Sequence, residues 1–80
     1  MTNLEKYKAV FKEVFQVNEE VLHDDFSSTS VDNWDSIMQL SLVTGIEDAF
    51  DIMMDPEDII GFKSFGIGKS IVAKYAIEIV

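Results

Sequence analysis

Asn33-Trp34-Asp35-Ser36-Ile37 sets one hydroxyl at the mouth of a helical run that continues to Phe50, with a carboxylate before it and a mostly apolar run after it. Two chemistries are open to such a serine. Nucleophilic catalysis needs a base within hydrogen-bond reach, held by a third group. The chain has one histidine, so the triad available is Ser36–His23–Asp24. No Gly-x-Ser-x-Gly elbow surrounds Ser36, and 80 residues are too few to wall off a sizeable pocket. No catalytic residue is therefore assigned, and the chain is not expected to be an enzyme. The other chemistry needs no base in this chain: a partner enzyme can esterify an exposed serine with a phosphate-bearing group. The free amides and dipole of a helix N-terminus favour an anion there. An arm on Ser36 would leave the molecule above Ile37 and Leu40. The plain alternative is an unmodified serine in the first turn of a helix.

Other motifs carry less. The sequence has no cysteine, which excludes disulfides and thiolate metal sites, and any thiol chemistry needs an added group. One histidine and no Asp-x-Asp-x-Asp-Gly loop give no expected metal site. Asp24 and Asp25 read as a solvated loop. Gly66-Ile67-Gly68-Lys69-Ser70 lacks the full phosphate-loop spacing and a preceding strand, and reads as a helix start. Fifteen acidic residues stand against six lysines, for a formal charge of −9. Such a chain repels nucleic acid and anionic membranes and attracts basic protein surfaces. The N-terminus carries no signal or spanning pattern, so a cytoplasmic protein is expected. A monomer is the default.

The elements that must hold these residues follow from periodicity. Forty-eight per cent apolar residues support one small core, although a domain of this size buries only about 60–65% of its unfolded surface. Thr2 and Glu5 form a capping-box pattern. Leu4, Tyr7, Val10, Phe11, Val14 and Phe15 then recur at helical spacing, which predicts a first helix over Asn3 to Val17. Asn18 to Asp35 is a long connection, rich around Phe26 to Asn33 in residues that bond locally to backbone. Val21, Leu22, Phe26, Val31 and Trp34 are expected to pin it to the core, with a short helical turn near Glu19–Leu22. The second helix is predicted from Asp35 or Ser36 to Asp51, with Asp35 as its cap. Its core face carries Gln39, Leu42, Val43, Ile46, Ala49, Phe50 and Met53. Gly45 lies on the flank and reads as a tolerated glycine, the alternative being close approach of another element. Asp55-Pro56 opens a short third helix ending at Gly61. Ser64 caps a fourth, with Phe65, Gly68, Ile71, Val72, Tyr75, Ala76 and Ile79 in helical register and a first turn weakened by Gly66 and Gly68. The expectation is one all-α domain over residues 1–80: a small bundle of three main helices and one short one.

This pattern resembles the acyl carrier proteins. The resemblance rests on Asp35-Ser36-Ile37, Leu42-Val43, Ile46-Glu47-Asp48-Ala49-Phe50-Asp51 and the acidic turn Asp55–Asp58, within a four-helix order and a long loop that match over nearly the whole chain. It implies that Ser36, flanked by Asp35, receives 4′-phosphopantetheine from coenzyme A through a phosphopantetheinyl transferase. The arm's thiol would then carry acyl groups as thioesters between acyl-loading and acyl-transfer enzymes with basic docking surfaces. It implies a recognition helix presenting Ile37, Met38, Leu40, Ser41, Thr44, Glu47 and Asp48 to those partners. It also implies an interior that shelters the acyl chain among Leu42, Val43, Ile46, Phe50, Ile59, Phe62, Ile71 and Val72, residues that ordinary core packing would equally claim.

The departures point away from bulk fatty acid synthesis. Ile37 stands for the usual leucine, Met38 and Ser41 for usual acids, and Asn33-Trp34 for the common Gly-Ala. Trp34 in that place resembles carriers dedicated to specialised pathways: polyketide, amino-acid-linked, modified lipid or surface polysaccharide. The absence of linker sequence favours a free-standing carrier over a module of a larger synthase. Two alternatives stand beside an acyl carrier. An aminoacyl carrier ranks lower because the Gly-Gly-x-Ser pattern is missing. An acidic helical adaptor would bind a basic partner with no prosthetic group; it would survive Ser36→Ala and fail on reversal of Glu47 and Asp48.

Overall fold

The computed structural model describes residues 2–27 and 34–80. Among these residues it is an all-α bundle of four helices: α1 (Asn3–Phe15), α2 (Ser36–Phe50), α3 (Pro56–Gly61) and α4 (Phe65–Ala73), with a 3₁₀ turn at Glu19–Val21 between the first two. Val31 and Asn33, with the turn-forming residues around them, lie outside the described residues.

Each helix start is built as its sequence dictates. The Thr2 hydroxyl accepts from the Glu5 amide at 3.1 Å while the Glu5 carboxylate accepts from the Thr2 amide at 3.3 Å, a complete capping box. Asp35 Oδ1 accepts from the Met38 amide at 2.9 Å and Ser64 Oγ from the Ile67 amide at 3.0 Å, so each satisfies an amide the helix itself cannot. Pro56 opens α3, but Asp55 gives it no side-chain cap.

The helix ends depart further from the periodicity. Gln16 turns left-handed, at φ 54°, so α1 stops at Phe15 rather than Val17. Asp51 does the same after Phe50, and the Ile52 amide closes back onto the Glu47 carbonyl at 3.1 Å. That exit breaks the register that assigned Met53 to the core. Met53 is 84% exposed, and Met54 is buried in its place. α4 ends at Ala73 rather than running to Ile79. Ala76 is left-handed, at φ 67°, and the chain beyond it returns to the start of α1. There the Asn3 side-chain amide donates to the Glu78 carbonyl at 3.0 Å and the Leu4 amide to the Val80 carbonyl at 3.3 Å. Ile77 and Ile79 pack on the core while Glu78 and Val80 face water. Their period is two, that of an extended segment rather than of a helix.

The core is aromatic. Tyr7, Phe11 and Phe15 of α1 meet Phe26 and Trp34 of the long connection and Phe62 and Phe65 around α4's start, all buried. Phe15 and Trp34 have ring centroids 4.7 Å apart, and Phe11 and Phe65 stand edge to face at 5.0 Å. Burial of each such ring contributes about 1.5–3 kcal/mol, and the tilted pairs add about 0.5–1.5 kcal/mol. Tyr7 keeps its hydroxyl satisfied by donating to the Phe65 carbonyl at 2.7 Å, and burial pushes its pKa up.

Leu22, Phe26 and Trp34 pin the connection as expected, whereas Val21 is 41% exposed. Backbone bonds help: the Phe65 amide donates to the Phe26 carbonyl at 2.7 Å and Ser27 pairs with Ser64 in a short bridge. Asp24 is exposed, as a solvated loop requires, while its carbonyl accepts from the Gly66 amide at 3.2 Å and its carboxylate pairs with Lys69 at 3.0 Å. The first turn of α4 is thus held by this loop, not weakened by its glycines. A β-carbon at Gly68 would overlap the Tyr7 hydroxyl and the Phe62 ring, so glycine there lets α4 lie directly on them.

Candidate functional site

Ser36 is the first residue of α2 and is exposed. Two neighbours fix it. Asp35 holds the helix start, and Trp34, buried beneath, anchors the incoming chain in the aromatic core. The Trp34 indole donates to Gln39 Oε1 at 3.2 Å. Gln39 Nε2 in turn donates to the Ile59 carbonyl at 2.6 Å and to the Ile60 carbonyl at 3.4 Å. Gln39 is therefore a strut from the start of α2 to the end of α3, half-buried rather than packed in the core. A glutamine inside an apolar run was the one sign of it in the sequence.

A cleft of about 480 Å³ lies beside Ser36, walled by Leu40 of α2 and by Ile59 and Ile60 of α3, with Asp35, Gln39 and Lys63 also lining it. Leu40 is 57% exposed and Ile60 is 69% exposed, so apolar surface faces water next to the hydroxyl. Neither His23 nor Asp24 lines this cleft. Asp24 is engaged by Lys69, as described. Among the described residues no cluster of three potential ligand residues could hold a metal ion.

The residues assigned to partner recognition form a surface along α2. Ile37, Leu40, Ser41, Thr44 and Asp48 are exposed, and Met38 is half-buried. Glu47 differs. Its carboxylate turns back to accept from the Met54 amide at 2.8 Å and is half-buried, so it caps the α2–α3 connection as well as bordering the surface. On the other side of this surface a second groove of about 930 Å³ follows the seam between α2 and α1. The residues assigned to an acyl chain sit inward. Leu42, Val43, Ile46, Phe62, Ile71 and Val72 are buried in the core; Phe50 and Ile59 pack partly buried against it. Ile59 alone of these also borders the cleft beside Ser36.

Below the site, α3 is tied to the end of α4 by a polar clamp absent from the sequence reading. Asp58 is buried. It accepts from Lys74 Nζ and from the Tyr75 hydroxyl, both at 2.6 Å, and the same hydroxyl accepts from the Asp55 amide at 2.9 Å. The Lys74 bond first, then the Tyr75 bond, hold the Asp58 carboxyl below the usual carboxylate range, and the same pairing raises the Lys74 pKa. Asp58 follows a helix-opening proline, where an acid is ordinarily a solvated first-turn residue; its partners lie far along the chain.

No known family model matches the chain, and no curated protein matches it. No helix among the described residues is long and apolar enough to cross a membrane.

Proposed function

We propose that this chain is an acyl carrier in which Ser36 bears 4′-phosphopantetheine. The observation that carries the reading is the placement of Ser36: an exposed hydroxyl at the first position of a capped helix, beside a cleft lined by the apolar Leu40, Ile59 and Ile60 and by the charged Asp35 and Lys63. The residues fit the group. The helix dipole and Lys63 favour a phosphodiester, while Leu40, Ile59 and Ile60 offer apolar surface to what is attached beyond it. When bound, the arm supplies a thiol that this cysteine-free chain lacks. In loading, the Ser36 oxygen would bond to the phosphorus of the coenzyme A phosphopantetheine. The pyrophosphate bond breaks, adenosine 3′,5′-bisphosphate leaves, and the serine proton passes to a base of the transferase. The chain's own part is to present the hydroxyl, keep the helix start rigid and offer partners the α2 surface. The departures at Trp34, Met38 and Ser41 favour a dedicated pathway over bulk fatty acid synthesis.

The test uses an acyl-coenzyme A as donor with a broad-specificity phosphopantetheinyl transferase and Mg²⁺. One acyl-phosphopantetheine should be added, and neutral hydroxylamine should release the acyl group and leave the arm, as a thioester requires. A folded chain that accepts nothing from several transferases would contradict the proposal and leave the acidic adaptor as the reading.

A further inference from the structure

We infer that the cargo of this carrier is a short acyl group that stays at the surface beside Ser36, and that Gln39 bars a long alkyl chain from entering between α2 and α3. The inference rests on the carrier reading and adds to it the class of group carried.

Two of the seams around the core are closed by packing. Between α1 and α4, one added carbon at Gly68 would overlap the Tyr7 hydroxyl and the Phe62 ring. Between α1 and α2, one at Gly45 would come within 2.7 Å of Val10. Deeper in, Phe11 has the rings of Tyr7 and Phe65 at 5.0 Å and those of Phe26, Trp34 and Phe62 within 6.2 Å. Interiors packed in this way resist even one extra methylene, and an alkyl chain asks room for many.

The seam that reaches Ser36 is closed differently. α3 is six residues long and turns Ile60 to water. Its start is fastened to the end of α4 through Asp58, Lys74 and Tyr75, and its end is bridged to α2 by Gln39. Gln39 Oε1 accepts from the Trp34 indole at 3.2 Å, and its Nε2 donates to the Ile59 and Ile60 carbonyls at 2.6 and 3.4 Å. These carbonyls stand in the last turn of α3, where a helix leaves its acceptors unpaired. An alkyl chain entering here would part all three bonds and set the N–H of the buried Trp34, together with the carbonyls, against hydrocarbon. Polar groups without partners are costly in such surroundings. A short acyl group avoids that cost by staying in the cleft, where exposed Leu40 and Ile60 lie beside Asp35 and Lys63. A long chain left there would keep much of its apolar area in water.

The experiment loads the wild-type protein and Gln39→Met from acetyl- and octanoyl-coenzyme A with a broad-specificity transferase and Mg²⁺. Methionine matches glutamine in helix preference, but it cannot donate and its sulfur accepts only weakly. Intact mass identifies each loaded form. Melting temperature and the methyl resonances of Leu42, Val43 and Ile46, on the buried face of α2, are then compared. In the wild type the two acyl forms should melt together and show the same resonances. In Gln39→Met the octanoyl form should melt about 4 °C or more above the acetyl form, as a chain bound only by the folded state requires, and the three resonances should move. A wild type stabilised by octanoyl, with those resonances shifted, would overturn the inference. So would a Gln39→Met protein that excludes octanoyl as the wild type does, since Gln39 would then bar nothing. A folded protein that accepts neither acyl group refutes the carrier reading; one that loads and buries octanoyl refutes this inference alone.

Discussion

Ser36 and Asp35 divide two tasks between neighbouring side chains: one offers an exposed oxygen, the other holds the helix start. Replacing Asp35 by alanine removes the bond to the Met38 amide and should cost about 1 kcal/mol of stability, measurable in urea. Ser36→Ala leaves every described cap intact and should stay within about 0.5 kcal/mol of the parent. Asp58 gives a pH-dependent prediction. Folding lowers its pKa through Lys74 and Tyr75, so its stabilisation is present at neutral pH and is lost as pH falls through the lowered value. The melting-temperature gap between the parent and Asp58→Asn should therefore be widest near neutrality and close on acidification; a gap that ignores pH would contradict the clamp. Local chemistry made the caps Asp35, Thr2 and Ser64 legible, because a cap binds an amide within a few residues. Asp58 and Gln39 were not legible, since their partners stand 16 to 21 positions away.

Among the elements, the α1–α2 pair forms the main helix contact, and Gly45 sits in it. Helix propensity alone would reward Gly45→Ala by about 1 kcal/mol. The 2.7 Å approach to Val10, a branched residue with few rotamers, should cancel that gain. Thermal unfolding that shows the variant more stable by the full propensity value would refute the close approach. Gly68→Ala faces the Tyr7 hydroxyl and the Phe62 ring and should cost about 1–3 kcal/mol by overpacking. The sequence marked the helix starts and the end of α3 at Gly61, but overran α1 and α4. α1 and α2 end on left-handed Gln16 and Asp51, neither of them a glycine that would announce the turn, and α4 closes at Lys74 in right-handed geometry. Tertiary packing then set the final segment, where Ile77 and Ile79 alternate against the core rather than continue α4.

Over the whole molecule the acids outnumber the lysines enough to repel one another. Added salt or Mg²⁺ should therefore raise the melting temperature by screening, and insensitivity to both would show that the charges are already balanced within the fold. The bundle and its aromatic core could be read from apolar spacing and size; the two surface depressions could not, because they depend on which half-buried residues the packing leaves uncovered. The same field that repels makes basic partners approach faster, which joins the α2 surface to the proposed carrier role. That role stands or falls on one atom, and the direct measurement is the intact mass of the wild-type protein and of Ser36→Ala after incubation with coenzyme A, Mg²⁺ and a broad-specificity phosphopantetheinyl transferase. The account predicts a single phosphopantetheine on the wild type and none on the variant, with both folded. Addition to the variant, or none to a folded wild type with more than one transferase, would contradict it.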